Sequence, residues 1–144
     1  MTDLSAKPSV NVSEFNSIAG HVFAQLYGSF PVPIGRLNDL SIAKAMEVSS
    51  GVLPSGRRFD EVLRHSVGWL SDEGYIRSGG LSPYDRLTLT QKGLAALNAV
   101  PEGLSATVGS SLVTATSGTG QSMSGIGDLI GGLIGGFTKS MSGS

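Results

Sequence analysis

Residues 57–100 have the sequence RRFDEVLRHSVGWLSDEGYIRSGGLSPYDRLTLTQKGLAALNAV, and this stretch decides the fold. Its first part places apolar residues three and four positions apart, the spacing that gives a helix one buried stripe. The stripe consists of Phe59, Val62, Leu63, Val67 and Leu70, and Trp69 widens it. We expect this helix to end at Gly74, because glycine tolerates the left-handed conformation that closes many helices.

A β-hairpin and a second helix follow directly. Residues 75–77 begin an extended segment, residues 79–83 carry the glycines, serine and proline of a turn, and residues 86–90 alternate polar and apolar side chains. Thr90 is suited to cap the next helix, which carries Leu94, Leu97 and Val100 on one side. The predicted order is therefore helix, hairpin, helix.

The segments FDEVLRHSVGWLSDEGYIR and DRLTLTQKGLAAL resemble the recognition helix, wing and C-terminal helix of bacterial winged helix-turn-helix proteins. The matching features are residues 70–76, where the helix meets the wing, and residues 87–93, where the wing ends. The resemblance implies a winged-helix fold. That fold hosts DNA-binding regulators and also purely protein-binding modules.

The preceding residues supply the other elements of such a domain. Residues 1–12 form a flexible N-terminus, after which Ser13 caps a helix that carries Glu14 in its first turn. The prolines of residues 30–34 favour a short edge strand able to pair with the wing. Residues 37–46 form the first helix of the helix-turn-helix. The link formed by residues 47–56 is longer than the usual tight turn of this motif, which argues against the standard docking of the motif in the major groove.

The sequence thus predicts an α+β chain of four regions. After the flexible residues 1–12, residues 13–100 form a small winged-helix domain of three or four helices plus a β-hairpin wing. Residues 101–121 are rich in Gly, Ser and Thr and favour a mobile linker, with a weak strand or helix tendency around residues 112–113. Residues 122–144 form an apolar, Gly-rich tail. It either stays disordered or becomes helical by burying its apolar stripe against the domain, another copy or a lipid surface.

The tail carries the predicted surface for self-association or partner docking. The side chains assigned to it are Ile126, Leu129, Ile130, Leu133, Ile134 and Phe137, with Gly131 and Gly135. The spacing of Gly127, Gly131 and Gly135 permits close backbone approach between helices, although each glycine costs a helix about 1 kcal/mol. Membrane contact is less favoured, because Lys139 is the only cation of the tail.

Composition limits the chemistry. Ten basic and eleven acidic residues give a net charge of −1, whereas nucleic-acid binders usually carry a basic excess. No cysteine and only two histidines are present, and the sequence contains no catalytic constellation or phosphate-binding loop. We therefore expect no enzyme activity, no cofactor and no metal site. The first residues lack the features of a secretory signal, which favours a cytoplasmic protein.

The sequence leaves two functional hypotheses. The first is a non-enzymatic DNA-binding or transcription-regulatory adaptor that contacts duplex DNA through side chains of the predicted recognition helix and wing. These are Arg57, Arg58, Arg64, His65, Arg77, Tyr84 and Arg86. The second is a protein-interaction or assembly module in which the winged helix is a scaffold and the tail binds a partner or a second copy.

Overall fold

The computed structural model describes residues 9–101, 103–117 and 125–134. These residues form a mixed α+β structure of six helices and one three-stranded antiparallel sheet. The elements are α1 (Val10–Ser29), β1 (Ile34–Arg36), α2 (Asp39–Ala45), α3 (Phe59–Asp72), β2 (Ile76–Ser78), β3 (Asp85–Leu89), α4 (Gln91–Leu97), α5 (Val108–Ser117) and α6 (residues 125–134).

α1 is the central helix, and it begins earlier than the sequence indicated. The Ser13 amide donates to the Ser9 carbonyl at 3.0 Å, so Ser13 lies inside the first turns and does not cap them. The predicted boundary between residues 1–12 and 13–100 therefore cuts through α1. Glu14 is consequently not in the first turn; it is 5% exposed and accepts a hydrogen bond from the Ser55 amide at 2.8 Å.

The sheet has the strand order β1-β3-β2, and it confirms the predicted hairpin. An edge strand does pair with the hairpin, but it lies at Ile34–Arg36, after the prolines, and shares only Ile34 with the predicted residues 30–34. β2 pairs with β3 through Ile76 and Leu89, and β1 joins the other edge of β3 through Ile34 and Leu87. The side chains of these four residues pack in or against the core. The sheet thereby continues the core that α1 and α3 form.

The junction between α3 and β2 is closed by backbone hydrogen bonds. Gly74 has a φ of +85°, and the Tyr75 amide donates to the Leu70 carbonyl at 2.9 Å. This is the helix ending that the sequence predicted. The predicted cap is also confirmed, because the Thr90 hydroxyl accepts from the Gly93 amide at 3.1 Å.

Within the predicted linker of residues 101–121, residues 108–117 form the helix α5, which is longer than the weak helix tendency around residues 112–113 indicated. The helix packs on α1 and buries Val108 and Leu112. A Cβ at Gly109 would lie 2.5 Å from the ring of Tyr27, so the small residue allows close packing. The composition suggested flexibility because the same small residues that favour linkers also permit close contact.

α6 covers α1 beside α5 and buries Ile126, Ile130 and Leu133. A Cβ at Gly20 of α1 would lie 2.2 Å from Cγ2 of Ile126, which makes Gly20 the point of closest approach. The predicted tail is thus helical over residues 125–134 and docks within its own chain. In the described parts of the chain, no helix has both the length and the apolar character needed to cross a bilayer.

Candidate functional site

α3 divides the predicted nucleic-acid residues between two flanks. Its buried stripe consists of Phe59, Leu63, Ser66, Val67 and Leu70. We define the wing-side flank by Arg58, Arg64 and Tyr84, which line one depression, and the α1-side flank by Arg57 and His65, which line another. Glu61 borders both depressions and marks the ridge between them.

The wing-side flank contains an ion pair at the beginning of α3. Arg58 donates to both carboxylate oxygens of Asp60, at 2.9 and 3.2 Å. The hydrogen bond from Arg58 lowers the pKa of the Asp60 carboxyl, and the same bond raises the pKa of Arg58. Both side chains are exposed, so this pair contributes little to stability. It does place a carboxylate beside the Arg58 guanidinium, which makes Arg58 a weaker site for phosphate than an arginine without an ion pair.

Tyr84 connects α3 to the sheet on this flank. The guanidinium of Arg36 lies 5.5 Å from the centre of the Tyr84 ring and donates to Asp85 at 3.2 Å. Burial raises the pKa of Tyr84 and Asp39 raises it further, while Arg64 and Arg36 act in the opposite direction. Arg36 was missed by the sequence analysis. The register between β1 and β3, which places it opposite Asp85, could have been inferred only from the strand pairing.

The hairpin presents Arg77 and Arg86 to solvent. Arg77 pairs with Thr88 in the ladder and lies on the face away from Ile76 and Leu89, because successive side chains of a strand alternate between faces. Arg86 has a φ of +51°, a left-handed conformation that is uncommon for a residue other than glycine. Its carbonyl accepts from the Gly79 amide at 3.0 Å, which closes the hairpin loop.

Ion pairing separates the predicted cations into two groups. Arg58 is paired with Asp60, whereas Arg57, Arg64, Arg77 and Arg86 form no ion pair with any carboxylate of the described residues. Arg64, Arg77 and Arg86 lie on α3 and the hairpin, while Arg57 lines the cavity on the other flank. The structure therefore does not bring all seven predicted residues onto one surface.

The α1-side flank is an aromatic cavity of about 620 Å³. Val12 and Phe15 line it from α1, and Arg57, Glu61, His65 and Trp69 line it from the α3 side. Trp69 was predicted to widen the buried stripe, but it is 40% exposed. Its ring meets Phe15 edge-on at 5.1 Å and stacks with Tyr75 at 6.4 Å.

Phe15 and Trp69 were missed as site residues because both fit the apolar stripes of their helices. Trp69 lies about 80° from Phe59 around α3, at the border of the buried arc, if each residue turns the helix by 100°. A large aromatic residue at that position cannot be fully covered by the neighbouring helix. The position of Trp69 at the edge of the stripe was the feature of the sequence that indicated its partial exposure.

The predicted self-association surface is largely used within the chain. Ile126, Ile130 and Leu133 are buried on α1, and Leu129 and Ile134 are partly buried against the same core. Gly131 is exposed, and apart from its own helix no described residue lies within 4 Å of where its Cβ would be. Gly135 and Phe137 lie outside the described residues. Association between two copies through the tail stays a prediction.

Comparisons with protein-family models, with curated proteins and with solved structures found no match. No family can therefore be assigned from these comparisons, and a functional proposal has to rest on the geometry above.

Proposed function

We propose that this chain is a non-enzymatic winged-helix domain that binds duplex DNA through the wing-side flank of α3 and the hairpin, as a regulatory adaptor does. The element order supports this proposal: α2 and α3 are followed by the β2–β3 hairpin, and β1 pairs with its inner strand. α3 and the hairpin are adjacent along the chain and in space, as a recognition helix and wing have to be.

The observation that carries the proposal is the unpaired state of three arginines. Arg64 on α3 and Arg77 and Arg86 on the hairpin are exposed and have no carboxylate partner among the described residues. Free guanidinium groups bind phosphate oxygens and release counterions from the duplex, which favours binding. Tyr84 lies between these two elements and offers a hydroxyl to the same backbone.

Carboxylates limit the strength of this interaction. Glu61 on the ridge of α3 and Asp72 at its end are exposed, and both repel phosphate. The net charge of −1 provides no long-range attraction. We therefore expect binding that depends on about three phosphate contacts, with a correspondingly modest salt dependence.

Fluorescence anisotropy with a labelled mixed-sequence duplex tests the proposal on the full chain. Arg64→Gln, Arg77→Gln and Arg86→Gln should each weaken binding and lower the slope of log K against log salt by about one. Lys44→Gln is the matched control, because it removes the same charge from α2 and Lys44 does not line the depression with Arg64 and Tyr84. Absence of binding at low salt would overturn the proposal, as would an equal loss in the control.

A further inference from the structure

The cavity on the α1-side flank combines two features that the DNA-binding proposal does not use. Its wall is aromatic, because the Phe15 and Trp69 rings meet there, and Trp69 remains partly open to solvent. Its rim carries opposite charges, since Arg57 and Glu61 both line the cavity. No ion pair joins these two side chains or connects either of them to another described residue.

We propose that this cavity binds a small zwitterion with an aromatic body, the chemical class of the aromatic amino acids. The aromatic body would occupy the space beside Trp69 and Phe15. The carboxylate of the ligand would accept hydrogen bonds from the Arg57 guanidinium, and its ammonium group would donate to the Glu61 carboxylate. This inference does not rest on the DNA-binding proposal.

The size of the cavity fits such a ligand. Its volume of about 620 Å³ lies within the range of about 300–1,000 Å³ that is typical of small-molecule sites. The Trp69 ring already has aromatic neighbours on the protein side, since Phe15 meets it edge-on and Tyr75 stacks with it. These contacts hold the indole in place, so a ligand ring gains an aromatic contact without ordering a mobile side chain.

The charges select among ligands of the same size. A ligand with only a carboxylate would leave Glu61 without a partner and place two anions in one cavity. A ligand with only an ammonium group would leave Arg57 without a partner and place two cations in one cavity. A zwitterion satisfies both rim groups, and each charge-assisted hydrogen bond contributes more than a neutral one. The unpaired rim charges therefore favour a zwitterion over either singly charged analogue.

The chain has one tryptophan, so the emission of Trp69 reports on this cavity directly. The full chain is titrated with phenylalanine, with phenylpropionate, which lacks the ammonium group, and with phenethylamine, which lacks the carboxylate. Phenylalanine should bind about tenfold more tightly than either analogue. Calorimetry of the same titrations ensures that an unresponsive indole does not hide binding.

Two variants test the assignment of the rim groups. Arg57→Gln should weaken phenylalanine and phenylpropionate by about tenfold and leave phenethylamine unchanged. Glu61→Gln should weaken phenylalanine and phenethylamine and leave phenylpropionate unchanged. Glu47→Gln, an exposed carboxylate outside the cavity, should change none of the three affinities.

Absence of phenylalanine binding by both methods at millimolar concentration overturns the proposal. Equal affinity for the three ligands also overturns it, because the rim charges would then play no part. Since the two rim variants alter different ligands, a general loss of folding cannot imitate the expected pattern. Duplex binding by the same samples, measured separately, reports on the DNA-binding proposal alone.

Discussion

The two flanks of α3 differ in what they offer a ligand. The wing-side flank is polar, and its Arg58 is already paired with Asp60, while Arg64 forms no ion pair within the part of the chain that the structure describes. The α1-side flank is an open cavity with the aromatic wall of Phe15 and Trp69. One helix thus separates the flank that we propose for phosphate from the cavity that we propose for an aromatic zwitterion. Substitutions on one flank should consequently leave binding at the other unchanged, except at Glu61, which borders both depressions.

The largest expected effect comes from the residue that anchors both flanks. Leu70 of α3 is fully buried, and Leu70→Ala should lower the free energy of unfolding by about 2–5 kcal/mol. Urea denaturation measures this change. Leu81→Ala removes the same atoms from a fully exposed side chain and should stay within about 0.5 kcal/mol of the wild type. Equal effects of the two substitutions would mean that α3 is not anchored as described.

A smaller loss of stability is expected from a substitution at Gly20, on the side of α1 that faces α5 and α6. This substitution should leave binding at both flanks of α3 unchanged. Gly20→Ala places a Cβ against Ile126, and we expect a loss of about 1–3 kcal/mol from overpacking. Helix propensity alone predicts the reverse sign. Gly28→Ala, also in α1 but with open space around the site, should gain up to about 1 kcal/mol.

Urea denaturation of the two glycine variants decides between packing and propensity. Hydrogen exchange of residues 125–134 should rise in Gly20→Ala and stay unchanged in Gly28→Ala. The freed apolar stripe of α6 should then promote self-association in sedimentation experiments. Two variants that stabilise the chain equally would contradict the docking of α6 at Gly20.

Arg86→Gly tests the role of Arg86 in the wing-side flank, because it should change stability and DNA affinity in opposite directions. The left-handed conformation of Arg86 costs about 1 kcal/mol that glycine does not incur. We expect thermal denaturation to show a stability gain of about that size, while duplex affinity falls. A variant that loses both stability and affinity would show that Arg86 supports the hairpin instead of binding DNA.

The smallest expected change in stability comes from the ion pair between Arg58 and Asp60. The pKa of the Asp60 carboxyl is lowered in the folded state, so the pair stabilises the fold at pH values above the ordinary carboxyl pKa. This stabilisation is lost as the pH falls through the pKa that Asp60 has in the folded state. An NMR titration should place the Asp60 midpoint below that of a model peptide. Arg58→Gln should raise the midpoint towards its ordinary value, because the hydrogen bond from Arg58 is the largest cause of the lowered pKa. An unchanged midpoint would remove Arg58 as the cause.

Local signals in the sequence predicted the elements around α3 well. Gly74 and Thr90 mark the end of one helix and the start of another, because each acts through its own backbone conformation or a hydrogen bond a few residues away. The pairing of β1 with β3 followed from the prolines and from the alternation of residues 86–90. The same local signals placed Trp69 inside the core, since helical periodicity does not specify how far a neighbouring helix extends.

The C-terminal part was predicted less well, because its packing depends on distant residues. α5 begins where the Thr107 hydroxyl accepts from the Ser110 amide, but the small residues that follow favoured a linker by composition. Nothing near residue 126 indicates that Gly20 offers space for Ile126. The candidate site shows the same limit: its residues were named from α3 and the hairpin, but their division between two flanks depends on α1 and β1.

The central claim is that duplex DNA binds the wing-side flank and not the α1-side flank. An NMR titration of the full chain with an unlabelled duplex tests this claim most directly. We expect the largest amide shifts at Arg64, Tyr84 and Arg86, and little change at Val12 and Phe15. Shifts concentrated around Val12 and Phe15, or no shifts at low salt, would contradict the account.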